Sequence, residues 1–341
     1  MDLPKTMSAL VSLEDGFASD PSGQRLDTLE PYLCLDEVPV PVPGDHQALI
    51  KVSRAAVNPS DIAYIKGIYA MPRRKGVPAG LEGTGTVVAG DTPLVGQRVS
   101  FFGTGSGTWA DYALSNVATL VPLRPDVSDD DAAGLIINPF TAMAMFDIVR
   151  EDGAGSFLVT AGGSQLGKFL IGIGKDSGIG CIPVVRRAEQ SGPLKALGAT
   201  DVLVSTAPDF AERMTSVIAE HQPRVLLDAV GGQMSADLFS AMGKGGRWIS
   251  YGRLDPVPPQ LNKMQDFIFR DKSIEGFWIN TWLHNTPPER VQAVVAELQA
   301  RFADGRWKTE VLATVGLRDA MQRLPQAYGQ ADGKVLIAPD A

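Results

Sequence analysis

The sequence predicts an α/β chain in two parts, a β-rich part over roughly the first 130 residues followed by a doubly wound parallel sheet. Three observations carry this. The 341 residues suit two domains of about 100–200 residues each. Thirty-six glycines and 24 prolines point to many turns and close backbone approaches rather than a helical bundle. From about residue 155 onward, strand-length apolar runs alternate with helical ones.

In the first part, short apolar stretches at 48–52, 85–88 and 97–102 are separated by turn residues such as those of 41–45. After Pro125-Asp126, the run Ser128-Asp129-Asp130-Asp131 is a helix start, because a capping hydroxyl and first-turn acids satisfy the exposed N–H groups. Residues 157–160 then read as a buried strand, followed by a Gly-rich turn and a helix at 166–175. Strands at 182–185, 201–204, 224–228 and 247–251 alternate with helices at 193–197, 210–220 and 234–242. That alternation is the signature of a parallel, doubly wound domain. Further on, Val291, Val294, Val295 and Leu298 lie at helical spacing within 288–302. Strands at 311–315 and 334–337 flank a short helix.

The net charge of −8 argues against nucleic acid as a partner, since phosphate binding draws on concentrated Lys and Arg. No apolar run approaches the ~20 residues of a bilayer helix; the best candidate, 169–173, is cut by Gly172 and Gly174. The first ten residues carry neither a secretory nor a transit pattern. A soluble cytoplasmic protein without membrane partners is the expectation. Cys34 and Cys181 are the only cysteines, and His46, His221 and His284 the only histidines, so no disulfide framework or metal centre is expected.

The strand-to-helix turn reads Thr160-Ala161-Gly162-Gly163-Ser164-Gln165-Leu166-Gly167. Such a turn brings backbone N–H groups and a helix N-terminus up to a pyrophosphate. Gly162 and Gly167 also frame Gly-x-x-x-x-Gly-Lys, but Phe169 stands where a P-loop needs a magnesium-binding Ser or Thr. Strict Gly-x-Gly-x-x-Gly is broken as well. What lifts the turn is the end of the next strand, Val184-Val185-Arg186-Arg187. There, about 20 residues on, an NAD site places an acid for the ribose 2′-hydroxyl. Two guanidiniums instead suit a 2′-phosphate, which points to NADPH; a solvated basic strand end is the alternative. The clusters Gly80–Gly85 and Gly103–Gly107 have no helix after them and read as turns or bulges.

The chain resembles the zinc-independent medium-chain dehydrogenase/reductases, in which a GroES-like β-rich catalytic domain is split around a Rossmann domain. Within them it looks most like the mitochondrial-type 2-enoyl thioester reductases, and next the quinone oxidoreductases. The carrying segments are Val57-Asn-Pro-Ser-Asp-Ile62, Gly67-Ile-Tyr69, Gly107-Thr-Trp109, Asn138-Pro-Phe-Thr-Ala142, Val184-Val-Arg186, Asp228-Ala-Val-Gly-Gly232, Tyr251-Gly252, Gly276-Phe-Trp278 and Gly333-Lys334. Coverage runs from about residue 40 to the end. The resemblance implies a discontinuous catalytic domain over 1–127 and 284–341, a Rossmann domain over 128–283, and a homodimer joined through its sheet edges. It excludes the zinc branch, whose catalytic Cys would fall near Asn58–Ser60 and whose His falls at Leu81, leaving only Glu82.

By the same resemblance Tyr69 is the catalytic residue. A tyrosine with its ordinary pKa of about 10 stays protonated at neutral pH and can deliver a proton to Cα after hydride reaches Cβ of an α,β-unsaturated thioester. The carried-over cofactor contacts are Asn138 at the nicotinamide and Gly163, Ser164, Gln165, Leu166 and Gly167 at the pyrophosphate. Arg186, Arg187 and Ala188 would surround the 2′-phosphate. Tyr251, Gly252, Arg253, Leu254, Phe277, Trp278, Ile279 and Lys334 would complete the cleft. A quinone or enone reductase on the same scaffold, or an NADPH-binding protein without turnover, are the competing readings. The basic run Arg73-Arg74-Lys75 after Tyr69 departs from the family and reads as a solvated loop or as a grip for substrate phosphates.

Overall fold

The computed structural model describes residues 3–20, 22–104, 106–330 and 333–340. The chain divides into two compact units, Met1–Ile137 with Val295–Ala341, and Asn138–Val294. It is an α/β protein throughout. Among the described residues no helix is long and apolar enough to cross a membrane.

The first unit contributes β1 (Thr6–Ser12), β2 (Leu33–Pro39), β3 (Gln47–Val57), β4 (Glu82–Gly90), β5 (Arg98–Phe102), β6 (Tyr112–Asn116) and β7 (Val121–Pro122). In the second lie β8 (Ser156–Val159), β9 (Gly180–Val185), β10 (Leu203–Val204), β11 (Val225–Asp228), β12 (Arg247–Ser250) and β13 (Ser273–Gly276). The chain then returns to the first with β14 (Val311–Gly316) and β15 (Lys334–Ala338).

β1 and β2 form an antiparallel pair; the larger sheet of the first unit runs β14-β15-β3-β4-β5-β7, with β6 also on β3. Its core gathers Ile50, Val52, Val57, Val87, Val99, Phe101 and Trp109. The glycines of 80–85 serve this sheet. Gly80 turns with φ +94 against Trp109, and a side chain at Gly85 would collide with the Lys51 carbonyl across the ladder, beside a register shift at Val52/Arg54. Gly107 likewise has the Ala79 carbonyl against its Cα; Gly105 of the same cluster lies outside the described residues.

Ser128 caps a one-turn helix, Asp129–Ala132, by accepting the Asp131 N–H (3.2 Å). Ser53 and Arg98 both bond Asp129, and the Ser100 hydroxyl donates to the Ala132 carbonyl (2.6 Å). Those ties hold residues 128–137 in the first unit.

In the second unit all six strands are parallel, in the order β10-β9-β8-β11-β12-β13. That is the dinucleotide-fold order 3-2-1-4-5-6, whose direction reverses between β8 and β11. The helix Gln165–Ser177 buries Leu166, Phe169, Leu170 and Ile173 on one face and ends at Gly178 with φ +68.

Candidate active site

The expected site residues fall into two groups: Tyr69 and Lys334 in the first unit, all others in the second. Each group is built by its own elements.

In the second unit, the Gly162 N–H donates to the Val184 carbonyl (3.1 Å), and a Cβ on Gly162 would collide with Pro183 of β9. A Cβ on Gly167 would strike the Gly162 carbonyl, and one on Gly163 the Gln190 amide. The turn therefore presents bare backbone at the start of a 13-residue helix. Ser164 is its N-cap, with Oγ accepting the Gly167 N–H (3.1 Å); Gln165 and Leu166 follow in the first turn.

Asp228 ties this turn to the rest of the sheet. Wholly buried, its carboxylate accepts from Thr160 Oγ1 (2.6 Å), Ser235 Oγ (2.8 Å), Trp248 Nε1 (2.9 Å) and the N–H groups of Val230 (3.0 Å) and Gly231 (2.9 Å). Five donors, from just past β8, just past β11, the helix after β11 and β12, thus converge at the point where the strand order reverses. The resemblance included Asp228, but its donors are scattered along the sequence and only the fold assembles them.

Arg186, Arg187 and Ala188 are exposed beyond the end of β9, on the ligand-binding edge of such a sheet. Thr206 Oγ1 holds the Arg186 carbonyl (2.6 Å), and Arg187 Nε lies 3.6 Å from Glu189. No ion pair to Arg186 occurs among the described residues. After β12, the Tyr251 N–H donates to the Asp228 carbonyl (2.9 Å) and the Leu254 N–H to the Ala229 carbonyl (3.0 Å), so 251–254 lines the same reversal point. The Tyr251 hydroxyl is buried with no partner among the described residues, and burial pushes its pKa up. Gly252 lets the Ala229 carbonyl approach; Arg253 and Leu254 are exposed. Phe277 donates its N–H to the Ser250 carbonyl (2.8 Å), Trp278 is 39% exposed, and Ile279 is buried. Asn138 stands half-buried in the first turn of Ile137–Asp152. Bare glycine backbone at a helix N-terminus, two exposed guanidiniums and an orphaned buried hydroxyl fit a phosphorylated dinucleotide.

In the first unit, Asn58-Pro59-Ser60-Asp61 opens the helix Pro59–Ile65, with the Asp61 carboxylate reaching back to the Asn58 N–H (2.7 Å) and taking the Leu81 N–H (2.7 Å). Asn58 Nδ2 donates to Glu82 (2.8 Å), Lys334 Nζ donates to Asn58 Oδ1, and the Ile136 and Ile137 N–H groups feed Glu82 (3.1 and 2.8 Å). All four side chains are buried. Lys334 thus sits in a buried network on β15, engaged with Asn58. Burial raises the Asp61 carboxyl to about 7, with the Glu82 charge pushing the same way. Burial also raises Glu82, against the pull of Lys334, and lowers Lys334. Leu81 and Asn58, where the zinc branch would carry metal ligands, here feed this network. Among the described residues no group of three or more His, Cys, Asp or Glu is arranged for a metal.

Tyr69 is half-buried in the bend that follows this helix. Gly67, at φ +73, ends the helix by donating to the Tyr64 carbonyl (2.9 Å). The basic run after Tyr69 is not one loop feature. Arg73 is 4% exposed and bonds Glu14 (3.2 Å) and the carbonyls of Gly16 and Ile65, while Arg74 and Lys75 face solvent. Arg73 is therefore not solvated: it is buried, with an acid and two carbonyls engaging its Nε and Nη1.

Residues 44–125 match the family model for the alcohol dehydrogenase GroES-like domain, and residues 166–300 that for zinc-binding dehydrogenases. The mitochondrial enoyl-[acyl-carrier-protein] reductase of Bos taurus is 28% identical over 285 residues, 81% of this chain and 76% of its own. That of Arabidopsis thaliana is 28% identical over 307 residues, 85% and 78%. A solved Mesorhizobium loti protein, provisionally called an NADPH:quinone reductase, is 46% identical with a TM-score of 0.95, over 99% of this chain and 100% of its own. The mitochondrial 2-enoyl thioester reductase heterodimer of Candida tropicalis shares the fold at 22% identity and a TM-score of 0.80, over 98% and 99%.

Proposed function

The chain belongs to the medium-chain dehydrogenase/reductase family of oxidoreductases, and we propose that it reduces the activated C=C bond of a trans-2-enoyl thioester with NADPH. The observation that carries the cofactor choice is the exposed Arg186-Arg187 pair beyond β9, one strand over from the bare glycine turn. Likeness to the enoyl reductases over four-fifths of the chain supports the substrate class.

Bound NADPH supplies the hydride that adds to Cβ. The protein's own part begins with holding the pyrophosphate on the 162–167 backbone and the 2′-phosphate on Arg186 and Arg187, with Asn138, Tyr251, Phe277 and Trp278 lining the remainder. As charge develops on the thioester oxygen, hydrogen-bond donors stabilise the enolate, and the Tyr69 hydroxyl delivers the proton to Cα. Loss of that hydroxyl stops protonation without touching the cofactor.

A second reading, reduction of a quinone or enone, is favoured by the 46% identical Mesorhizobium loti relative. A quinone takes hydride to give a hydroquinone anion that solvent protonates on oxygen, so it does not need Tyr69 as a positioned donor. An enone needs the Cα proton as a thioester does. NADPH oxidation by the purified protein separates the two: turnover of crotonyl-CoA that is lost in Tyr69→Phe supports thioester reduction. Turnover of a small quinone alone, indifferent to Tyr69→Phe, moves the assignment to the second reading. NADPH binding with no turnover of either leaves a binding protein.

The proposed assembly is a homodimer. β13 is an open edge, and Ile274 on it and Met264, Ile268 and Phe269 just before it are exposed. The reducing cytoplasm, the proposed location, suits the two free thiols, Cys34 and Cys181.

A further inference from the structure

The N-terminal segment precedes the family-model matches, which start at residue 44, yet it is built onto the loop that carries Tyr69. It runs antiparallel to residues 67–79. Ser12 bonds Val77 and Gly76 (3.0 and 2.9 Å), Asp15 takes the Lys75 N–H (2.7 Å), Gly16 and Arg73 exchange both backbone bonds (3.0 and 3.2 Å), and the Ala18 N–H donates to the Gly67 carbonyl (2.8 Å).

Side chains repeat the pairing. Buried Arg73 reaches Glu14 (3.2 Å), and buried Lys66 reaches Asp20 (3.2 Å) and Ser22 (2.7 Å) while lying over the Tyr32 ring. The Ser22 hydroxyl bond, foremost, holds the Asp20 carboxyl near 2, so this charge persists at any physiological pH. At Gly67 a Cβ would stand 2.8 Å from the Ala18 nitrogen and from the Arg73 guanidinium, so only glycine admits the strap this close.

The ties Gly16–Arg73 and Ala18–Gly67 close the two ends of the loop 67–73, with Tyr69 inside it. Phe17 lies between the ties and is 64% exposed. A lone exposed apolar residue needs no explanation. This one is pinned through both neighbours across from the loop that carries Tyr69, so its backbone position is fixed while the residue stays exposed. We propose that Phe17 is a specificity-determining residue, forming an apolar wall beside Tyr69 for the hydrocarbon tail of the substrate. The inference rests on reading Tyr69 as the proton donor.

The test compares wild type, Phe17→Ala and Phe17→Leu on trans-2-enoyl-CoAs from crotonyl to hexadecenoyl and on alkyl enones of matched tail length, with KM and kcat separated. A methylene on an apolar wall is worth about a fourfold change in affinity, so wild-type KM should fall with tail length. In Phe17→Ala the ratio of long-chain to crotonyl KM should rise about tenfold, and Phe17→Leu should restore most of it. Equal changes at every length, or none, overturn the wall. Wild type that reduces enones but no thioester refutes the thioester reading, and the enone series then judges the wall by the same ratio. Wild type that reduces neither overturns both.

Discussion

Replacing Arg186 by alanine should separate NADPH from NADH. The residue stands exposed beyond β9 with its carbonyl fixed by Thr206, and no acid among the described residues competes for its guanidinium. A charge-assisted bond to phosphate contributes about 1.5–3 kcal/mol, and an exposed site lies near the lower end, so the NADPH Kd should rise about 10–30-fold. Arg187 already shares its charge with Glu189 at 3.6 Å. Arg187→Ala should therefore cost less, about 3–10-fold. NADH lacks the 2′-phosphate, and its Kd should move by less than about twofold in either variant. Fluorescence titration of both reduced cofactors at fixed ionic strength measures this, and added salt should shrink the gap between them. Equal losses for NADPH and NADH would refute the reasoning, since Arg186 would then be supporting the turn rather than reading the phosphate. No loss for either would return the strand end to a merely solvated one.

Three other outcomes follow from the buried groups. Lys334→Met leaves Glu82 buried without its cation and should destabilise the fold by about 3–5 kcal/mol in urea melts, with Glu82→Gln added to it recovering part; a double variant no more stable than the single contradicts this. Asp61, raised by burial to about 7 and faced by Glu82, Lys334 and Tyr328, binds its proton more tightly folded than unfolded. Its contribution to stability is thus present in acid and lost as pH rises from about 4 toward 7. The difference in urea stability between wild type and Asp61→Asn should fall across that window, and a flat difference sinks the assignment. Gly162→Ala forces a methyl against Pro183 and should weaken NADPH binding by about 1–3 kcal/mol, read by titration; unchanged affinity would show that the turn can yield.

Much of the doubly wound sheet is legible in sequence because β8, β9 and β11 are mostly apolar, buried runs, and the buried Trp248-Ile249 pair marks β12. β13 is not: Ser273-Ile-Glu-Gly is short, half polar and paired on one side only. β1 and β2 escape for a related reason, since β1 is buried at nearly every position and shows no alternation, while Asp36 and Glu37 interrupt the apolar run of β2. Local chemistry announces the glycine turn, the Arg186-Arg187 pair and the Ser128 cap. What the sequence conceals is pairing over distance. Arg73 reads as part of a surface charge run until Glu14 and Gly16 are laid beside it. Lys334 reads as a strand residue, and only the fold shows its buried bond to Asn58, which in turn bonds Glu82.

The central claim is hydride to Cβ and a proton to Cα from Tyr69, and isotope placement tests it most directly. Crotonyl-CoA should be reduced once with NADPH deuterated at the transferring position of C4 in ordinary water, and once with NADPH in deuterium oxide, the product being read by NMR. Cofactor deuterium is expected only at C3 and solvent deuterium only at C2, with loss of turnover in Tyr69→Phe. Cofactor deuterium at the carbonyl carbon, or undiminished C2 labelling in Tyr69→Phe, would contradict it.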